Sequence, residues 1–258
     1  MESRTELGSP HGPLRHESVL ALGETFTLHA GLLRSLAFRE VNVREAFTIV
    51  DASGVFFRAS FQATDGKTGS ALAYERMSRS TESPARITLV CAVLGRQKML
   101  VVVQKATELG AVRIVPVFSD HSVPPAALEK EKPWAWGGQA LRASRQCRRA
   151  SVPEVRETMA LPEALAAGFW KEAAARFFLD DELRDGESGS VIQTRVIEPS
   201  SYVLAVGPEG GWSARERDLL RARGAAPLWL GSRILRAETA VFAGLSVLQH
   251  RLGDLGPR

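Results

Sequence analysis

The stretch VLAVGPEGGWSARERDLLRARGAAPLWLGSRILRAETA, Val203–Ala240, decides how the chain reads. Two short apolar runs each end in a loop of unusual composition, and each loop opens onto a helical pattern. The first loop is Gly207-Pro208-Glu209-Gly210-Gly211 and the second is Gly231-Ser232-Arg233-Ile234-Leu235-Arg236. Loops at the carboxyl ends of strands are where an open α/β sheet binds its ligand. Gly207, Gly210 and Gly211 permit positive φ and close backbone approach. Pro208 stiffens the turn, and Ser213 with Glu216 forms a capping box that fixes the start of the next helix. A plain strand-to-helix turn would account for the glycines but not for Glu209 between apolar flanks. In the second loop, Ile234 and Leu235 beside Arg233 and Arg236 suit a flat heterocycle and an anion; as bare plugs of the core, Ile234 and Leu235 read equally well. The pattern is neither a P-loop nor the dinucleotide fingerprint, and no Gly-x-Ser-x-Gly elbow is present.

Outward from this stretch the chain keeps a strand–loop–helix rhythm. Arg86–Leu94 is a continuous apolar run, as in a strand buried on both faces. Gln97–Leu109 has helical spacing with Gly110 as its stop, and Val112–Phe118 is a strand again. Ser122–Lys132 is a Pro-rich loop, and Trp134–Arg149 reads as a helix. Leu161–Ala167 is a short helix, and Ala175–Asp180 is a strand ending on Asp180, Asp181 and Glu182. Gly186–Gly189 reads as a flexible loop. Strands at Tyr202–Val206 and Pro227–Leu230 and a helix at Glu238–Leu252, rich in small residues, complete an α/β domain with a mostly parallel sheet.

The N-terminal part has a different grain. His29–Arg39 has helical spacing. Ala46–Asp51 and Val55–Phe61 are short strands around the turn Asp51-Ala-Ser-Gly54, which suggests a small barrel. The polar, Pro-terminated stretch Ser78–Pro84 is the best boundary. The division is therefore 1–80 for the barrel, with 1–15 a disordered tail, and 81–258 for the α/β domain.

A length of 258 residues suits one large domain or two modest ones, and 45% hydrophobic residues suffice for real cores. No apolar run is long enough to span a membrane, and the N-terminus has no signal-peptide core. Cys91 and Cys147 read as free thiols in a reducing cytoplasm, and five scattered histidines argue against a metal site. The net charge of +4 permits a polyanionic partner without requiring one. Arg142, Arg145, Arg148 and Arg149 crowd one helix without an acidic residue, a repulsion that RNA or phosphate would relieve. On the barrel, Arg34, Arg39, Arg44 and Arg58 read first as solvated surface.

At these residues a resemblance emerges. GPEGGWSARE at 207–216 followed by LGSRILRAETA at 230–240 resembles the signature of the bacterial 16S ribosomal RNA uridine-N3 methyltransferases, the RsmE family of the SPOUT class. QKATELG at 104–110, Pro116, and Gln146 with Arg149 and Pro153 are similar to the same family's upstream elements. The likeness covers about Arg86 to the end and extends loosely over Phe26–Phe61. It departs where a Ser-x-Arg-Ser element becomes Ser119-Asp-His121-Ser122, where acidic residues before Gln146 become Arg142 and Arg145, and where a Gly-Asp turn becomes Arg44-Glu45. The resemblance implies a PUA-like β-barrel followed by a SPOUT-type parallel α/β domain with a C-terminal trefoil knot. It also implies a cytoplasmic homodimer that binds S-adenosylmethionine and methylates N3 of one uridine near the 3′ end of 16S rRNA within the small ribosomal subunit. The cofactor would lie against Leu179, Val206, Gly207, Pro208, Gly210, Gly211, Leu230, Gly231, Ser232, Ile234 and Leu235. RNA would meet Arg34, Arg39, Arg142, Arg145, Gln146 and Arg149. Alternatives from other classes are a ribose 2′-O methyltransferase on another RNA and a non-catalytic RNA-binding assembly factor.

Uracil N3 is a poor nucleophile until its proton is lost, and charge then develops on O2 and O4. Arg236 is the candidate cation for that charge; its alternative is a salt bridge to Glu238 or Glu209. Glu209 either accepts the N3 proton, which would need burial of the carboxylate, or orients the loop.

Overall fold

The protein is described here by a computed structural model covering residues 10–180 and 200–256. The loop expected at Gly186–Gly189, with Asp181 and Glu182, lies outside the described residues, as do residues 1–9. The chain divides into two units, Met1–Glu82 with Ser144–Pro153, and Ser83–Ala143 with Glu154–Arg258. The boundary expected at residue 80 is thus close, but Ser144–Pro153, expected in the second unit, groups with the first.

The first unit contains β1 (Thr25–Leu28), α1 (Ala30–Phe38), β2 (Ala46–Val50), β3 (Phe56–Thr64) and β4 (Gly69–Arg76). The strands form an antiparallel sheet in the order β1-β4-β3-β2. Its core gathers Leu28, Leu36, Ile49, Phe57 and Phe61. The turn at Asp51 forms as its composition requires: the Asp51 carboxylate accepts from the Ser53 and Val55 amides at 2.9 Å, and Gly54 adopts φ +83°. Residues 10–15 are not the tail expected of them. Leu14 is buried in the same core and its amide donates to the Ala150 carbonyl at 3.2 Å.

The second unit runs β5 (Ala85–Ala92), α2 (Arg96–Glu108), β6 (Arg113–Phe118), a 3-10 turn at Pro125–Glu131, α3 (Trp134–Gln146), β7 (Glu154–Val155), β8 (Met159–Ala160), α4 (Leu161–Ala166), α5 (Gly168–Lys171), β9 (Ala175–Leu179), β10 (Ser200–Val206), α6 (Ala214–Ala222), β11 (Ala226–Leu228) and α7 (Ala237–Leu252). The sheet order is β11-β9-β10-β5-β6-β7, with β8 also on β6, and all of these pairings are parallel. The unbroken apolar run of β5 is explained by cores on both faces. Ile87, Leu89 and Cys91 pack with Met99, Val103, Val241 and Leu245, while Val90 packs with Val115, Phe178, Val203 and Leu220. α7 comes very close to the sheet: a Cβ on Gly244 would stand 3.0 Å from Leu204 Cδ2 and 3.2 Å from Leu179 Cδ1. Its far end is fixed by Gln249, fully buried, whose Nε2 donates to the Leu109 carbonyl at 2.9 Å and whose Oε1 accepts from Ser83 Oγ at 2.6 Å. Among the described residues no helix is long and apolar enough to cross a membrane.

α3 stops at Gln146, and Arg148 takes a left-handed φ of +62°. Arg149 therefore lies beyond the helix on which it was expected. It is buried, and its Nη2 donates to Glu82 Oε2 at 2.8 Å. Glu82 also accepts from the Ala150 amide at 2.9 Å, the Ser151 amide at 3.0 Å and the Ser151 hydroxyl. Arg39, likewise buried, donates to the carbonyls of Gly12 and Ala150, and burial brings its pKa down to about 10. Both arginines were expected on RNA; both instead hold Ser144–Pro153 in the first unit. Both side chains are shut off from solvent, Arg149 on the Glu82 carboxylate and Arg39 with its Nη atoms on backbone carbonyls, while Arg39 Nε is buried without a partner among the described residues.

Burial alone would raise the Glu82 carboxyl, but Arg149 and the hydrogen bonds from Arg149 and Ser151 outweigh it and hold it below the ordinary carboxylate range. A depressed folded-state pKa contributes stability above the unfolded-state value, and that stability is lost as pH falls through the folded value. Glu82→Ala is expected to destabilise this unit by about 3 kcal/mol at neutral pH, because it strands a buried guanidinium. Hydrogen exchange of the β2 and β3 amides checks it: wild-type protection that does not fall in the variant, or does not fall below the usual carboxylate titration range, removes this role from Glu82.

Candidate functional site

Three neighbouring strands of the second unit end at one edge. In register, Leu179 of β9 faces Leu228 of β11, and Phe178 faces Ala205 of β10, one residue short of Val206. The loops that follow enclose a cavity of about 110 Å³. Leu179, Val206, Gly207, Pro208, Gly211, Leu230, Gly231, Ile234 and Leu235 line it, as does Glu209. Gly210 and Ser232, also expected there, do not line it. Asp180, Trp212, Leu228, Arg233, Ala237 and Ala240 complete the wall. Ile234 is 89% exposed, so it is an apolar side chain held out at the rim and not a core plug.

The Gly-rich loop is shaped by local contacts. Gly211 takes φ +68° and its amide donates to the Pro208 carbonyl at 2.9 Å. A Cβ on Gly207 would lie 3.2 Å from the Trp212 ring, so any larger residue would force the buried indole to shift beneath the loop. Trp212 Nε1 is buried without a hydrogen-bond partner among the described residues, an arrangement that asks for a ligand acceptor or a water. The capping box forms as read: Ser213 Oγ accepts from the Glu216 amide at 3.3 Å, and Glu216 Oε2 accepts from the Ser213 amide at 2.9 Å. The loop after β6 joins in. Ser213 Oγ donates to Asp120 Oδ2 at 2.6 Å, and Arg215 Nη2 donates to Asp120 Oδ1 at 2.9 Å. The hydrogen bond from Ser213, then that from Arg215, hold the Asp120 carboxyl below its ordinary value.

Glu209 is ion-paired with Lys98 of α2. That hydrogen bond raises the pKa of Lys98, whose charge also feels Glu238 and Arg236. Arg236 does not line the cavity. It is the exposed residue that opens α7, in extended backbone, and among the described residues it makes neither salt bridge weighed for it. Asp180 lines the wall, but its carboxylate accepts from Arg221 Nη2 at 3.2 Å. Of the residues expected on RNA, Arg34, Arg142, Arg145 and Gln146 are exposed. Arg145 Nη2 pairs with Glu45 Oε1 at 2.8 Å, and Arg142 Nη2 donates to Gln139 Oε1 at 2.8 Å. Lys98, Asp120 and His121 went unnoticed in the sequence as parts of the site. Their link to the Gly-rich loop spans about a hundred residues, and no spacing rule reports it.

A glycine-lined cleft at the carboxyl ends of parallel strands, with apolar walls and backbone polar groups, defines a cofactor-binding α/β domain. Residues 81–249 match the RNA methyltransferase domain family, and the chain belongs to that family. A ribosomal RNA small subunit methyltransferase E from Synechocystis is 29% identical over 209 residues, covering 81% of this chain and 67% of that one. The enzyme of the same name from Aquifex aeolicus is 27% identical over 229 residues, covering 88% and 95%. The crystal structure of the Neisseria gonorrhoeae protein of that name, bound to S-adenosyl methionine, superposes with a TM-score of 0.63 at 28% identity, covering 95% of this chain and 99% of that one.

Ser213 caps α6 and also joins it to Asp120, so Ser213→Ala is expected to cost about 1 kcal/mol. The five tryptophans all lie in this unit, so urea unfolding followed by tryptophan fluorescence reads it directly. An unshifted midpoint would show that the cap does not hold the loop's far end.

Proposed function

We propose that the protein transfers a methyl group from S-adenosylmethionine to N3 of a uridine near the 3′ end of 16S rRNA in the small ribosomal subunit. The observation that carries this reading is the convergence of three loops, after Leu179, at Val206–Gly211 and at Leu230–Leu235, on one cleft. These are the loops the family resemblance assigns to the cofactor, and the relatives named above support the choice of RNA. The finer architecture that goes with this reading is a PUA-like barrel in the first unit and a trefoil knot in the second. It also goes with a homodimer working in the cytoplasm.

The residues present suit the cofactor. Leu179, Val206, Leu230 and Leu235 offer apolar faces to a flat purine, backbone groups of Gly207–Gly211 meet polar edges, and Arg233 supplies a counter-charge for a carboxylate. When bound, S-adenosylmethionine supplies a methyl group on a sulfonium, an electrophile that needs no further activation. The chain's part is to orient the uridine, to exclude water and to meet the charge that develops on uracil as N3 loses its proton. Arg236 is our candidate for that last task; its exposure on the loop where α7 begins, with the helix N-terminus adding partial positive charge, supports the reading. The pairing of Glu209 with Lys98 favours a loop-orienting role over proton acceptance. Arg34, Arg142, Arg145 and Gln146 remain as RNA contacts.

Undermethylated small subunits should accept one methyl group on N3 of a single uridine, and free 16S RNA should be a poorer substrate; modification of a ribose, or none at all, would sink the reading. Arg236→Ala should lower turnover by about a hundredfold while leaving cofactor affinity nearly unchanged. A matching loss of affinity would make Arg236 a cofactor residue. Arg34→Gln and Arg142→Gln should each reduce the salt slope of RNA binding by about one; a slope equal to wild type would take that residue out of the RNA interface.

A further inference from the structure

Gly210 does not line the cleft and is not among the residues with positive φ, so neither reason usually given for a loop glycine applies to it. What it requires is room. A Cβ there would stand 3.0 Å from His121 Cβ, 3.3 Å from Cγ and 3.4 Å from Nδ1. His121 comes from the loop after β6, and the Gly-rich loop follows β10, with β5 between them in the sheet. Its Nδ1 lies 3.1 Å from the Gly210 carbonyl oxygen and 3.2 Å from that of Gly211. Both partners only accept, so Nδ1 carries the hydrogen and donates to the pair. On another side of the loop, Lys98 holds Glu209. The loop is therefore gripped by two neighbouring segments, while the Gly207–Pro208 end lines the cleft.

We propose that His121 is a positioning residue for the cofactor loop. By fixing the carbonyls of Gly210 and Gly211 it holds Gly207–Gly211 in the shape that receives S-adenosylmethionine, and residue 210 is glycine because the His121 side chain, its Cβ foremost, leaves no room for another. This rests on the methyltransferase reading of the cleft. A loop ordered before binding loses less freedom on binding. Loss of the grip therefore weakens cofactor capture and spares the chemical step.

Three measurements test this on the full chain. In the ligand-free protein, His121→Ala should speed amide exchange across Gly207–Trp212. Calorimetric Kd and steady-state KM for S-adenosylmethionine should both rise about tenfold, the worth of one hydrogen-bonding side chain, with kcat changed by less than about twofold. His121→Asn, which keeps a donor, should recover most of the affinity. Gly210→Ala should weaken binding on its own, and His121→Gly, which removes the obstructing atoms, should relieve part of that loss, so the two changes are non-additive. Wild-type affinity in His121→Ala overturns the proposal whatever the exchange shows, as does strict additivity with Gly210→Ala. A wild-type protein that binds no S-adenosylmethionine overturns the methyltransferase reading and the cofactor part of this proposal; the ligand-free exchange comparison then decides whether His121 holds the loop.

Discussion

The cleft depends on β9, β10 and β11 ending level with one another. Their register sets Phe178 against Ala205 and Leu179 against Leu228, so three loops leave the sheet at one edge. In a strand apolar on both faces, alternation alone specifies register weakly, because a one-residue slip replaces one apolar side chain by another. Here the close seat of α7 adds the missing constraint. Gly244 admits Leu204 and Leu179, whose side chains would stand 3.0 Å and 3.2 Å from a Cβ at that position. The same helix that closes one wall of the cleft with Ala237 and Ala240 thus also fixes the strands from which the opposite walls hang.

Much of this was legible in the sequence, and for local reasons. The Gly207–Gly211 turn, the Ser213–Glu216 cap, the stop at Gly110 and the double-faced strand β5 are all written within a few residues of where they act. β7 and β8, of two residues each, are too short to leave a pattern, and α5 is a single turn. The arginines were misread for a different reason. A basic residue in a helical pattern looks the same whether it faces solvent or a carboxylate brought in by the fold. Arg149 donates to Glu82, sixty-seven residues earlier, and one of the carbonyls that engage Arg39 is that of Ala150, a hundred and eleven later. Such pairs are invisible to any rule of spacing.

Reassigning Arg39 and Arg149 changes how charge is used in the first unit. Two of the six residues expected to grip RNA are internal ties that hold a returning segment of chain in place. Those that remain at the surface carry lighter ties: Arg145 pairs with Glu45 in an exposed ion pair, the kind that contributes little to stability and is readily exchanged for another anion. Structural and recognition charges are thereby separated by burial, not by residue type.

The last tie of α7 has a consequence for how the protein is made. Gln249 closes onto Ser83, a hundred and sixty-six positions earlier, and onto the carbonyl that ends α2. Until residue 249 has emerged from the ribosome, the helix that carries Ala237 and Ala240 cannot dock, and the strands beneath it lack the contact that sets their register. So long a loop closure is slow. The first unit's sheet can form early from its own neighbours, whereas the cleft is assembled only after almost all of the chain described here has been synthesised. A nascent chain would therefore acquire the cleft only once residue 249 is free to reach Ser83 and Leu109.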